Sequence, residues 1–187
     1  MAKITFTPGW SHVHGHVGTF IYKEQQGRNI LAEKPDQVHQ PNTPAQQQQR
    51  EKFSQAATYA KSALANPQVR PVYAAKARAD RSNPFAEAVK DWMTPPVVDE
   101  IDVAAYHKQV GDVIYIKAHD DTEVVRAEVT LQDGNNNVLE SGNAAWDTAS
   151  GAWKYTATVD ATATGTVTVS ASAYDRPNHA GGKVATV

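Results

Sequence analysis

The sequence predicts an α+β chain, an N-terminal β-hairpin with three helices followed by an all-β sandwich. Three observations carry this expectation. Thr43-Pro44, Asn66-Pro67 and Asn83-Pro84 each pair a capping side chain with a proline ahead of a helically periodic run. From about Val103 the texture changes to short alternating strands broken by turn clusters, with no amphipathic helix between them. The charge changes sign near the same place. Residues 1–95 hold twelve Lys/Arg against seven Asp/Glu, whereas residues 96–187 hold six against thirteen.

At the N-terminus, Ile4 and Phe6 alternate with polar residues until Pro8-Gly9 breaks the run. Residues 17–23 and 28–34 flank Gln25-Gln26-Gly27, the pattern of two strands joined by a glycine-containing turn. Pro35 ends the hairpin, because proline has no N–H to give a ladder. A polar loop over 36–42 leads to the first helix, expected over 44–65 with Phe53, Ala57, Ala60 and Leu64 as its apolar face. That face is mostly alanine, which favours close approach to a neighbour. The second helix is expected over 67–79 with Val69, Val72 and Tyr73, and the third over 84–93 with Phe85, Ala88, Val89 and Trp92. In each, the cap oxygen accepts an otherwise orphan N–H, and a first-position proline has none to leave unpaired.

Thr94-Pro95-Pro96 stops the third helix, and the acidic stretch Asp99-Glu100-Ile101-Asp102 reads as a linker. The expected organisation is therefore a hairpin and helical domain over 1–95, a linker over 96–105 and a β-sandwich over 106–187. Within the sandwich, strands are expected at 113–117, 124–131, 138–140, 153–158 and 166–174 of about seven in total, with a turn cluster at Asp133-Gly134-Asn135-Asn136-Asn137.

Composition narrows the function classes. An apolar fraction of 41% with 20% charged residues is that of a soluble globular chain. The absence of cysteine excludes disulfides, cysteine-ligated zinc and a thiol nucleophile. No export signal or spanning segment is visible, so membrane insertion is not expected and the cytoplasm or a released particle is the expected location. The net charge of −2 conceals the opposed halves, whose signs suit head-to-tail association.

Residues 106–187 resemble a bacterial immunoglobulin-like domain of the kind found in surface and phage virion proteins. The resemblance rests on Val110-Gly111-Asp112, Ala118-His119-Asp120-Asp121, Val124, Val125, Val129, Leu131, Gly142, Trp153-Lys154-Tyr155 and the closing Ala173-Tyr174-Asp175-Arg176-Pro177-Asn178. It implies an Ig-like sandwich held without an inter-sheet disulfide. Residues 15–60 resemble the N-terminal region of short bacterial and phage-related proteins through Gly15, Val17-Gly18, Gly27, Lys34-Pro35 and Gln49-Arg50 with Phe53. That second resemblance implies no chemistry.

Few residues suggest a site. His12, His14 and His16 alternate, so on a strand they would share one face and could offer imidazoles to a transition metal. The competing reading is a polar surface strand beside Pro8-Gly9. Asp120, Asp121 and Asp175 could meet at one end of the sandwich and bind calcium through oxygen, or could serve only their own turns. The dispersed basic residues of the front half, among them Lys23, Arg28, Lys34, Arg50 and Lys52, are interrupted by acids and match no reading motif, so nucleic acid is not the favoured ligand. No phosphate loop, nucleophile elbow or His-Glu-x-x-His occurs, and neither enzymatic activity nor a cofactor is expected. Of four tryptophans, Trp146 is expected to be exposed in an inter-strand loop.

The function expected is a non-enzymatic structural or assembly subunit of a virion, filament or surface layer, with itself or another structural protein as partner. Contacts are expected through the hairpin residues Val17, Phe20, Tyr22, Arg28 and Ile30, whose strands offer an edge, and through Trp146. The alternatives are a monomeric adhesin-like module for glycan or protein, and a nucleic-acid-binding protein using the basic half.

Overall fold

The structure is a computed structural model that describes residues 15–25, 28–34 and 43–187. The chain forms two compact units, Met1–Thr43 and Pro44–Val187.

In the first unit, β1 (Gly15–Val17), β2 (Phe20–Gln25) and β3 (Arg28–Glu33) form an antiparallel sheet in chain order. The expected hairpin is β2–β3, with Gln25 opposite Arg28. β1 extends it by pairing Val17 with Phe20 through a turn in which Gly18 takes φ +59°, a left-handed conformation that glycine adopts freely.

The second unit begins with α1 (Pro44–Ala65), α2 (Arg70–Asp80) and α3 (Pro84–Met93). The Asn83 side chain caps α3, accepting the Ala86 N–H at 2.8 Å. The second helix starts later than its cap pair suggested. Asn66 accepts the Gln68 N–H at 2.9 Å, which stabilises a turn instead, and α2 begins at Arg70 with Pro71 in its first turn. The buried stripe of α1 is Ala56, Ala60 and Ala63, rotated from the expected face, and Phe53 stays 53% exposed. Together with Tyr73, Ala88 and Val89 these alanines form a small helical core in which α1 lies close against α3.

Residues expected to be a linker contain strand β4 (Val97–Asp102), and the helices belong to the same compact unit as the sandwich. Six further strands follow: β5 (Val113–His119), β6 (Arg126–Gln132), β7 (Val138–Asp147), β8 (Ala152–Thr156), β9 (Thr168–Tyr174) and β10 (Ala180–Thr186). All pairs are antiparallel, in the order β10-β9-β6-β7-β8-β5-β4. The long strand β7 joins the two halves. Its residues 138–144 pair with β6, and Ala145, Trp146 and Asp147 pair with β8. Strict alternation on β6 and β9 buries Ala127, Val129, Leu131, Val169, Ala171 and Ala173. They share one core with Ile114 and Ile116 of β5 from the other half, so the halves face each other across a common interior.

The two ends of the strand order also meet. A Cβ on Gly181 of β10 would overlap the backbone carbonyl of Pro96, the residue that leads into β4. Lys183 of β10 donates to the Asp99 carbonyl of β4. Gly181→Ala is therefore expected to destabilise the protein by about 1–3 kcal/mol through overpacking against backbone. Gly165→Ala, which meets nothing within 4 Å, should stay within about 0.5 kcal/mol of wild type. Chemical denaturation of the two variants checks the difference.

Candidate functional site

Two places bring chemistry-bearing residues together. One is the N-terminal sheet. His12 and His14 lie outside the described residues, and His16 lies on β1 opposite Ile21. Val17 pairs with Phe20 in the β1–β2 register, Arg28 pairs with Gln25 in the β2–β3 register, and Phe20 is 46% exposed. Tyr22, Ile30 and Leu31 are half-buried. No described side chain of this sheet is fully buried, although it carries an apolar set.

The other place is the end of the sandwich that adjoins α3. The strand registers put the start of β4, the end of β5, the end of β7, the start of β6 and the end of β9 at this end. Trp146 is there as well. It lies on β7 and not in a loop, is 52% exposed, and meets Trp153 edge-to-face at 5.6 Å. Asp120 and Asp175 occupy the two turns expected of them. Asp120 accepts the Thr122 and Glu123 N–H groups at 2.9 and 3.1 Å, while Asp175 accepts the His179 N–H at 2.6 Å. Both therefore stabilise turns, and Asn178 at φ 68° completes the second. Asp121 departs from the expected trio, because its Oδ1 receives the Lys90 ammonium at 3.1 Å. Among the described residues no three His, Asp or Glu side chains are grouped as a metal ion would need.

Asp91 of α3 takes its place in the trio. It is fully buried, as is Asp175, and its Oδ2 accepts the Tyr73 hydroxyl at 2.6 Å. The Tyr59 hydroxyl lies 2.7 Å from that of Tyr73, so the two phenols form a relay from α1 through α2 to α3. Burial pushes Asp91 up to about 6 against the hydrogen bond from Tyr73, and the charges of Asp120 and Asp175 push the same way. Burial likewise raises Asp175, against the His179 backbone bond and ring, and Asp120 adds to the rise. Burial raises Tyr73, and its bond to Asp91 raises it further. Asp91 Oδ1, Asp120 Oδ1 and Asp175 Oδ2 are all buried without a hydrogen-bond partner.

The remaining contacts of this end tie it to the helices. Trp92 meets the His179 ring edge-to-face at 5.0 Å, and His179 Nδ1 lies 3.5 Å from Asp175 Oδ2. Arg176 pairs with Glu123. A cavity of about 400 Å³ lies beside the junction, walled by Ala63, Val69 and Val125 and rimmed by Tyr59, Asn66 and Arg176.

Asp91 was hidden in the sequence by its neighbours. The apolar face of the third helix was read from Phe85, yet Phe85 is 37% exposed and the buried residues are Glu87, Ala88, Val89 and Asp91. The available signal was spacing, since Asp91 follows the buried Ala88 by three residues and so shares its face.

Comparison with known proteins adds little. No family model matches the chain, and no curated protein matches it. Among solved structures, the crystal structure of an engineered protein matches 49% of this chain at 20% identity, with a TM-score of 0.34. This chain covers 19% of that protein.

Tyr73→Phe removes the buried hydroxyl that donates to Asp91 Oδ2 and leaves the Tyr59 hydroxyl without the Tyr73 contact. It is expected to cost about 1–3 kcal/mol, and urea denaturation of the pair of proteins measures it.

Proposed function

We propose that this chain is a non-enzymatic assembly subunit whose N-terminal sheet is completed by a second copy. The observation that carries this reading is the three-stranded sheet 15–33, which among the described residues has two unpaired edges and an apolar set with no buried member. A sheet of that size needs an apolar face covered to be stable, and an open edge is a template for another strand. The charge distribution favours a copy of the chain itself as the occupant. The excess of basic residues in the helices and of acidic residues in the sandwich gives the second unit two poles of opposite sign. Lys90–Asp121 is one pair that crosses between them within a molecule. Opposite poles on identical molecules attract head to tail.

The finer fold reading belongs here too. Two facing half-sheets that share β7, with turns at both ends, are compatible with the immunoglobulin-like arrangement that residues 106–187 resemble, and such sandwiches present loops and edges for recognition. A second reading, a monomeric module for glycan or protein, is favoured by exposed Trp146 beside Trp153, since an aromatic face can stack on a sugar ring.

Light scattering of the full-length protein across salt and protein concentration tests the two. The assembly reading expects oligomers that shrink as salt rises and that Phe20→Asp dissociates, without change to the unfolding of residues 44–187. A monomer under every condition would sink it, and would leave ligand-dependent quenching of Trp146 fluorescence as the observation to seek.

A further inference from the structure

We propose that the helical layer is held on the sandwich by a proton on the buried carboxyl of Asp91, which lies in the field of the Asp120 and Asp175 carboxylates, so that this junction closes in mildly acidic solution and loosens toward neutrality. The carboxylates come from three separate segments: Asp91 from α3, Asp120 from the β5–β6 loop and Asp175 from the β9–β10 turn. Each exposes a buried oxygen with no hydrogen-bond partner. Asp91 and Asp175 are fully buried and Asp120 is half-buried; ionised together they would repel, and a buried charge without compensation is costly. A proton on Asp91 removes that buried charge.

The nearby Lys and Arg side chains pair with other acids, Arg176 with Glu123 and Lys90 with Asp121, although Arg176 Nε is itself buried without a hydrogen-bond partner. His119, at the end of β5, pairs with Asp99 of β4 at 2.8 Å. Glu87 on α3 is occupied by the Ser82 hydroxyl. Tyr59 and Tyr73 supply neutral hydroxyls, and burial raises both, so they stay protonated. The His179 ring faces Asp175, with Nδ1 3.5 Å from Oδ2. Raising the pH adds a negative charge at the buried Asp91.

The direction in pH follows from linkage. An aspartate in the unfolded chain ionises near 3.8, whereas Asp91 in the folded protein keeps its proton to about 6. Folding therefore takes up a proton between those values, and stability is lost as pH rises through that window. The turn carboxylates act the other way. Asp133 is held low by the Asn137 side chain and by backbone N–H groups, and Asp147 by Ser150, so they lose stability only as pH falls below the ordinary carboxylate range. The His119–Asp99 pair raises His119 above 6.5, so its own loss comes at higher pH than that of Asp91.

Thermal unfolding of the full-length protein between pH 5 and 7, with hydrogen exchange at the two limits, tests the proposal. The wild-type Tm should fall by roughly 2–4 °C as pH rises across this range. Asp91→Asn, a neutral isostere, should flatten the profile and exceed wild type at pH 7. Asp120→Asn should reduce the slope in the same direction, and serves if the first variant does not fold. After correction for intrinsic exchange, amides 84–93 should lose protection toward pH 7 while those of 126–132 keep theirs. A flat or rising wild-type profile would overturn the proposal, as would variants that keep its slope or equal loss of protection in both segments. A rise in Tm on adding millimolar calcium at pH 7 would also overturn it, because a metal ion would then be the missing counter-charge.

Discussion

Much of the second unit depends on one close approach, the Pro96 backbone against Gly181. Pro96 is fully buried and joins the last helix to the first strand of the sandwich. It can come so near because Gly181 has no side chain and ends a row of small residues, Ala144, Ala127 and Ala173, paired across β7, β6 and β9. The same economy recurs in the helices, where Ala56 and Ala60 of α1 lie in one core with Ala88 of α3. Small side chains let backbones approach and dispersion contacts accumulate, at the expense of tolerance for any added volume.

The row of small residues also fixes what stands at that end of the sandwich. With Pro96 seated, α3 cannot be a freely tethered helix, and its buried face must meet the 119–125 and 175–179 segments. Trp92 against His179 and Lys90 against Asp121 are the visible result. Asp91 lies between these two on the same helix and is carried into the interior with them. A buried carboxylate is a weak source of stability, so its presence beside two others is better understood as a source of pH response. The opposite end has a milder counterpart in Glu140. Its Oε2 accepts the Thr158 N–H and hydroxyl at 2.9 and 2.5 Å, and burial, reinforced by its charge, pushes nearby Tyr155 up to about 12.

The secondary structure was largely legible because its signals are local. Asn83-Pro84 caps a helix with the chemistry of those two residues alone, and the alternation of β6 can be read from residues 126–132. The failures were equally physical. Asn66-Pro67 offers the same cap chemistry, yet the Asn66 oxygen satisfies a turn N–H and the helix waits for Pro71. Residues 97–102 look like a linker because only two of the six are buried even in part beyond the surface, Val98 and Ile101. They form an edge strand, and a strand with one covered face and polar neighbours has a weak periodic signature. The alanine stripe of α1 was recognised as a close-packing face, but its rotation was set by what α3 presents.

The sequence by itself determined the α+β class, the three helices and several of the sandwich strands, the turn built by Asp133, and the opposed charge of the two halves. Each follows from chemistry within a few residues or from simple addition. The tertiary structure alone decided that the helices join the sandwich in one unit, that β4 and β10 meet through Pro96 and Gly181, and that Asp91 of α3 and Asp175 of the β9–β10 turn are both fully buried. Those are contacts between residues tens of positions apart, and no local pattern encodes which distant side chains will desolvate one another.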